Sequence, residues 1–422
     1  MAAGRPTGRP AMMGRTTRVD ITGVAAGGDG VGRADGLVVF VPRTAPGDVA
    51  IVRLASGKRF ARGHLESLES PSPSRVDPPC PHYVDDRCGG CQLQHLSYDA
   101  QLSAKAGIIA DALERIGRRV VDTPSVEPSD AQWRYRRKLT LHLRRSGPGW
   151  IAGLHPYDDP VAVFDVGDCP ITDESVLAVW SELRPLFHLL PDERALRVAV
   201  RVVDRGASVV VEGGSAWPTA DRFLAQAPSV AELWWRPQHG RLRRLTVPEQ
   251  RSNAGASFVQ VNARVAASLR AHLLERVRSY EAARVVDGYA GMGDTAIPLA
   301  DEGRTVVAIE LDREAVDLFH DRLRPPSVAI AGRVEDHLAA ALPADVVLLN
   351  PPRAGVDARV TRALETARPA PRAILYVSCD PATLARDVAR MPRYRVASVR
   401  AYDMFPQTAH VETLCELVPE VA

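Results

Sequence analysis

Between residues 17 and 67, apolar and polar positions alternate in short runs cut by glycine: RVDITGV, GGDGVGR, GLVVFVP, GDVAIVRL and RFARGHLESL. A side-chain period of two belongs to half-buried strands, and short strands at this spacing predict a small antiparallel barrel. The proline-rich run SPSPSRVDPP (70–79) reads as a linker that ends this first unit. Helical spacing follows over 98–117, where Leu102, Ile108, Ile109, Leu113 and Ile116 fall on one face. From 133 to about 250 the pattern is of strands, such as LRVAVRVVD and ASVVVEGG, with short helices. After 257 the texture changes. The helical stretch VNARVAASLRAHLLERV leads into four apolar runs, in ARVVDGYAG, TVVAIELD, ADVVLLNPP and AILYVSCD, which alternate with helical segments such as EAVDLFHDRL and ATLARDVARM. That alternation predicts an α/β unit with a parallel sheet and crossover helices. No period of repeat-protein length recurs.

A chain of 422 residues has material for two to four domains, and 45% apolar with 25% charged residues is ordinary globular composition. No apolar stretch approaches the roughly 18 residues of a membrane span, and nothing reads as a secretory signal. A cytoplasmic monomer is expected. The first dozen residues are rich in Gly, Pro and Arg, which suggests a disordered tail, with Met12 or Met13 as an alternative start.

A formal charge of +2 excludes little, because the location of charge matters more than its sum. Arg134, Arg136, Arg137, Lys138, Arg144 and Arg145 occur without an intervening acid. They read as a phosphate-contacting strip or, more blandly, as a solvated strand edge. The barrel carries Arg33, Arg43, Arg53, Lys58, Arg59 and Arg62, with Phe40 as a stacking face. Such a surface suits sequence-tolerant RNA contact. Of the six cysteines, Cys80, Cys88 and Cys91 cluster, which in a cytosolic chain points to metal or catalysis before disulfides.

In GYAGMGDT, the glycines Gly288, Gly291 and Gly293 admit close approach of a ligand to backbone. Glu310 ends the next apolar run and suits a ribose diol. The spacing is neither the dinucleotide G-x-G-x-x-G nor a P-loop, so an adenosine ligand without a phosphate chain fits, S-adenosylmethionine above all. NPPRAG (350–355) and Cys379 each follow an apolar strand, at the end where open α/β sheets place their sites. Asn-Pro-Pro alone suggests an amino-group methylase, but Arg353 stands where those enzymes hold a base with an aromatic ring. Cys379 precedes the helix PATLARD, whose N-terminus is expected to lower its thiol pKa. A thiolate solves a chemical problem. Carbon 5 of uracil is a weak nucleophile until sulfur adds to carbon 6. Glu412 is the candidate base for the carbon 5 proton; on its own it would read as a surface carboxylate at a strand end. The Asn350 amide can read the uracil imide edge.

Together, SFVQVN, DGYAGMGDT, NPPRAG, YVSCDPATLARD and DMFPQTAHVET resemble, in order, the bacterial RNA uridine-5 methyltransferase family. The resemblance spans nearly the whole chain. It implies a TRAM/OB-like barrel (16–68) after a tail (1–15), a mixed α+β central domain (69–255), and a class I, Rossmann-like methyltransferase domain (256–422). It also implies Cys379 as nucleophile and Glu412 as base. Gln260, Asp287, Tyr289, Gly291, Gly293, Asp294, Glu310 and Asn350 would line the cofactor and base pocket. Arg33, Phe40, Lys58, Arg134, Arg136, Arg137 and Lys138 would contact RNA. Cys80, Cys88, Cys91 and Cys169 match four thiolates that hold a [4Fe–4S] cluster in the ribosomal-RNA branch, although by residue chemistry four cysteines fit zinc equally. Barrel and cysteines favour 23S ribosomal RNA over tRNA. Many relatives have Asp at the place of Asn350, and some have Asn at the place of Asp294, so the target uridine stays open. A non-catalytic RNA-binding factor is the alternative of a different class.

Overall fold

The computed structural model describes residues 14–55, 59–203, 205–246 and 260–420. Two compact units interleave along the chain. One comprises the residues up to Pro79 with Cys91–Ile108 and Gln407–Ala409; the other comprises Cys80–Gly90, Ile109–Pro406 and the residues from His410 onward.

In the first unit, β1 (Thr16–Val24), β2 (Gly30–Ala34), β3 (Leu37–Val41), β4 (Val49–Ala55) and β5 (Phe60–Ser70) close into a barrel in the order β1-β2-β3-β5-β4. Alternate residues, among them Val19, Ile21, Val39, Val41, Val52 and Leu54, fill its interior. The barrel is not wholly antiparallel as expected: β3 and β5 pair parallel, because β4 intervenes in sequence between strands that are neighbours in space. The chain joins it early, since the Gly14 N–H donates to the Leu54 carbonyl and the Leu54 N–H to that of Arg15. Nor is the proline-rich segment a slack linker. The buried Asp48 carboxylate accepts the N–H groups of Ala45 and Ser72 and an Arg75 guanidinium at 2.9 Å. A buried carboxylate without such partners would lose several kcal/mol, so these bonds pin the segment to the barrel.

The second unit contains two sheets. After the short β6 (Ser125–Glu127) come β7 (Lys138–Ser146), β8 (Gly149–Leu154), β9 (Phe164–Asp165), β10 (Ala195–Val203), β11 (Gly206–Glu212), β12 (Val230–Arg236) and β13 (Arg243–Arg244). They form a sheet in the order β13-β12-β11-β10-β7-β8-β9. Its core is built around the fully buried Trp180, whose indole N–H donates to the Val166 carbonyl at 3.1 Å.

The other sheet has β14 (Arg284–Gly288), β15 (Thr305–Glu310), β16 (Val328–Ala331), β17 (Val346–Leu349), β18 (Ala373–Ser378), β19 (Tyr394–Tyr402) and β20 (Glu412–Pro419). Its order is β16-β15-β14-β17-β18-β20-β19-β6. The first five of these neighbours pair parallel, while β20 enters antiparallel to β18. Both faces of the parallel part are covered, which is why β17 and β18 are buried at every position. The edge strand β6 comes from far upstream and pairs with β19. Nearby, Ile109 and Leu113 of the helix Tyr98–Arg115 pack with Ala385, Ala401 and Val411. The domain boundary expected at 255/256 lies outside the described residues. Among those described, no helix is long and apolar enough to cross a membrane.

Candidate active site

Parallel strands of one sheet end on one edge, and the candidate residues lie along it in spatial order. From β15 through β14, β17 and β18 to β20, this edge carries Glu310, the glycine loop, Asn350, Cys379 and Glu412. The register is continuous. Gly288 pairs with both Ile309 and Leu349, Leu349 with Tyr376, and Ser378 with Thr413. The last pairing makes Cys379 and Glu412 the next positions on adjacent strands. Four strand spacings, about 19 Å, separate Glu310 from Glu412, enough for a nucleoside at one end and a base at the other.

At the cofactor end, the loop after β14 is wound with positive φ at Tyr289, Gly291 and Gly293. Glycine is required at 293, where a Cβ would lie 2.8 Å from the Phe319 ring. Beside Gly291, by contrast, the space is open. The Glu310 carboxylate accepts the Gly291 N–H on one oxygen and the Asp312 N–H on the other, both at 2.8 Å. Each oxygen keeps a second lone pair for a ribose hydroxyl. Asp287 is buried and accepts the Thr295 hydroxyl at 2.6 Å. Burial pushes its pKa up to about 7, and the charges of Glu310 and Asp294 add to the shift. Asp294 is exposed and paired with Arg270 at 2.9 Å. Gln260 is half-buried; Ser257, Phe258 and Val259 of its motif lie outside the described residues.

At the other end, Asn350 is exposed at the tip of β17, with its N–H on the Gly288 carbonyl. Glu412 is not the surface carboxylate that its local sequence suggests. It is 2% exposed, because β20 is covered on both faces. Burial pushes its pKa up to about 8, against the pull of the Arg353 charge. The Cys379 thiol is also raised, first by burial and then by Glu412, and Arg353 offsets this only in part through its charge and a hydrogen bond to the sulfur. The thiol is thus raised although it precedes the helix Pro381–Ala389. Asp380 caps that helix with its own carboxylate, bonding the Thr383 N–H at 2.9 Å and adding negative charge beside the thiol.

Sequence reasoning missed Arg353 as a member of the site. It also missed the clamp behind it. Fully buried Asp387 accepts the Val356 N–H and the Tyr376 hydroxyl, while Arg386 donates to the Ala354 carbonyl at 2.7 Å. A cation directly after Asn-Pro-Pro was the available signal.

Among the expected RNA contacts, Arg134 is already engaged. It forms a two-pronged pair with Asp168, at 2.5 and 2.9 Å, and donates to the Cys169 carbonyl. Arg136 and Arg137 spend only backbone N–H groups on neighbouring segments and, for Arg136, a side-chain bond to the Lys138 carbonyl. Burial, then Arg201, Arg197 and Arg136, push the Lys138 ammonium pKa down, which marks an excess of positive charge on this face of the sheet. In the barrel Arg33 is exposed, while Phe40 is half-covered by an edge-on contact with Phe60 at 5.6 Å. Phe60 is the more exposed ring. Lys58 lies outside the described residues.

Cys80, Cys88 and Cys91 are buried and Cys169 is half-buried. The Gly90 N–H points at the Cys88 sulfur at 3.4 Å. Among the described residues, however, no group of three or more Cys, His, Asp or Glu is gathered closely enough to hold a metal ion.

The buried Glu412 yields a stability prediction. A carboxyl with a folded pKa of about 8 and an ordinary value of 4.5 binds its proton more tightly in the folded chain. Its contribution is complete below pH 4.5 and is lost as the pH rises through about 8. Glu412→Gln removes this titration. Urea unfolding at stepped pH should show the variant gaining on the wild type by up to a few kcal/mol as the pH rises through that window, of the order of 1.4 kcal/mol per pKa unit. Parallel pH profiles would contradict the buried, proton-holding state.

A tRNA (uracil-5-)-methyltransferase family model matches residues 332–418, and a TRAM domain model matches residues 10–65. An RNA methyltransferase of Protochlamydia amoebophila is 32% identical, with 94% of this chain and 96% of that protein covered. A 23S rRNA (uracil(1939)-C(5))-methyltransferase of Dechloromonas aromatica is 30% identical over 91% of this chain and 95% of its own length. Among solved structures, the tRNA (uracil-54, C5)-methyltransferase of Pyrococcus abyssi, in complex with S-adenosyl-L-homocysteine, superposes with a TM-score of 0.69 at 25% identity, covering 95% of this chain and 99% of that one. With the barrel, the sheet order and the residues along its edge, these similarities establish that the chain belongs to the TRAM-containing family of S-adenosylmethionine-dependent RNA (uracil-5-)-methyltransferases.

Proposed function

We propose that this enzyme methylates carbon 5 of a uridine in 23S ribosomal RNA through a covalent adduct between Cys379 and carbon 6. The observation that carries the reading is the placement of Cys379, directly after β18, across from Glu412 at the start of the adjoining β20, on the edge that also bears the glycine loop. S-adenosylmethionine supplies an electrophilic methyl group on sulfur. Gln260, Tyr289, Gly291, Gly293 and Glu310 hold it, with Asp287 behind the loop and Asp294 at its rim.

The target uridine is flipped from its stack, at an unstacking cost of roughly a few kcal/mol, and Asn350 reads its imide edge. The Cys379 thiolate adds to carbon 6, and the electron pair moves to the carbon 4 oxygen. The resulting enolate makes carbon 5 nucleophilic enough to take the methyl group. Ionised Glu412 then removes the carbon 5 proton, the carbon 5–carbon 6 double bond re-forms, and the thiolate leaves. A base with a pKa near 8 is well matched to this transfer near neutrality.

Arg33 and the Phe40–Phe60 pair on the barrel, with Arg136, Arg137 and Lys138 on the central sheet, suit RNA phosphates and unstacked bases. The relative from Dechloromonas aromatica supports ribosomal RNA, and the one from Pyrococcus abyssi keeps tRNA as the competing substrate. The enzyme acts in the cytoplasm as a monomer. A [4Fe–4S] cluster on Cys80, Cys88, Cys91 and Cys169 is supported by the resemblance and by the burial of three of the four thiols, and it has no part in the methyl transfer.

Wild-type protein should form a denaturation-resistant adduct with RNA containing 5-fluorouridine, and Cys379→Ala should form none. Failure of the wild type to form it would overturn the covalent reading. Glu412→Gln should accumulate adduct on normal RNA while turnover falls by roughly 10²–10⁴-fold; normal turnover would remove Glu412 from its role. Nucleoside mapping of a strain lacking the gene decides the substrate, by loss of 5-methyluridine from ribosomal RNA or from tRNA. For the metal, anaerobically purified protein should be brown and contain iron and sulfide; a colourless protein with stoichiometric zinc, or with no metal, would refute the cluster.

A further inference from the structure

Two segments from different strands must hold one uracil ring in the proposed reaction. Asn350, just past β17, meets its imide edge, and Cys379, just past β18, meets carbon 6. The last ladder pair between these strands is Leu349 with Tyr376, so the sheet itself stops fixing their separation before either residue is reached.

A buried carboxylate takes over from the ladder. Asp387 lies on the helix Pro381–Ala389, which begins just after Cys379, and it is fully buried. One of its oxygens, Oδ2, accepts the Tyr376 hydroxyl from β18 at 2.8 Å and the Val356 N–H from the loop after β17 at 2.9 Å. Its other oxygen, Oδ1, is paired with Arg386 at 2.9 Å and with Arg390 at 3.0 Å, and Arg386 also donates to the Ala354 carbonyl at 2.7 Å. At its near end the loop hangs from the Asn350 N–H, bonded to the Gly288 carbonyl at 3.3 Å. Little slack lies between these anchors. Pro351 and Pro352 have locked φ angles, and the Gly355 N–H closes a turn on the Pro352 carbonyl at 2.8 Å. Gly355 has φ +76, and a Cβ there would lie 2.3 Å from Asp387 Oδ2, so the loop passes directly against the carboxylate.

Packing alone calls for no charge at this place. Val356, Tyr376, Leu384 and Val388 share one apolar cluster, and a buried carboxylate is tolerated there only because its bonds offset its desolvation. What the carboxylate adds is direction, because hydrogen bonds fix the loop along the strand where dispersion contacts let it slide. We propose that Asp387, held by Tyr376, is a positioning residue for methyl transfer: one carboxylate sets the Asn-Pro-Pro loop that carries Asn350 against the strand and helix that present Cys379.

The inference rests on the covalent reading of Cys379, and its test separates the two. Full-length wild type, Asp387→Asn and Tyr376→Phe are mixed with S-adenosylmethionine and 23S ribosomal RNA transcribed with 5-fluorouridine, and the denaturation-resistant adduct is followed in time. Thermal melting sets a working temperature at which each protein is folded. At saturating RNA the adduct rate of Asp387→Asn should fall roughly 10- to 100-fold, the cost of a small misplacement of reacting groups. That of Tyr376→Phe, which loses one hydrogen bond, should fall roughly threefold to tenfold. The S-adenosylmethionine concentration for half-maximal rate should stay at its wild-type value, since the glycine loop is untouched. A clamp that serves stability alone would lower the melting temperature and leave the rate of the folded protein unchanged, and that result would overturn the positioning role. So would a slower rate matched by weaker S-adenosylmethionine binding, the sign of a shift of the whole edge. If Asp387→Asn does not fold, Tyr376→Phe decides alone. Absence of an adduct in wild type would instead overturn the covalent reading.

Discussion

Strands that run parallel in one sheet must all finish on the same side, and the rest of this site depends on that constraint. Each crossover returns the chain to the far edge, so the residues following β14, β15, β17 and β18 are gathered without being close in sequence. Glu412 reaches the same edge by the opposite route. It starts β20, which runs antiparallel to β18, so its first residue meets the last residues of its neighbour. That edge therefore carries the glycine loop at one end and Cys379 with Glu412 at the other, spaced by strand separations that the backbone hydrogen bonds dictate.

Burial supplies the chemistry and also its difficulty. A carboxyl kept from water becomes a stronger base, which suits proton removal from carbon, but the same environment disfavours the thiolate next to it. A helix N-terminus is a weak remedy here, since Asp380 uses that end for its own cap. Arg353, exposed at the rim, offsets part of this with its charge. Asp287 follows a similar logic at the cofactor end: a buried acid near Glu310 is held by a hydroxyl rather than by a cation.

Basic residues counted along the chain prove unequal once partners are known. Arg134 is spent on Asp168 and on the carbonyl of Cys169, a structural use beside one of the implied cluster thiols. Lys138 lies in register with Arg201 on β10, so the positive surface extends across strands that no linear reading joins. In the barrel, Phe60 pairs with the expected stacking residue because β5 returns alongside β3, a closure that alternation alone does not specify.

The elements of the C-terminal sheet were legible because buried parallel strands are written as continuous apolar runs, with glycine turns and polar tips at their ends. The glycine loop, Asn350 and Cys379 stood out for the same reason, since each follows such a run directly. Glu412 was legible only beside Cys379 and in the shared motif; its local sequence reads as surface, whereas β20 is buried on both faces at its start. Arg353 was visible as a cation directly after Asn-Pro-Pro, but its electrostatic influence on Cys379 and Glu412 depends on the fold. The sequence by itself determined the strands, the turns and the residue types that chemistry needs, since these follow from local periodicity and steric demand. Only the tertiary structure decided which charges are buried, which are already paired and which share one corner, because desolvation and Coulomb energy depend on distances that the linear order does not contain.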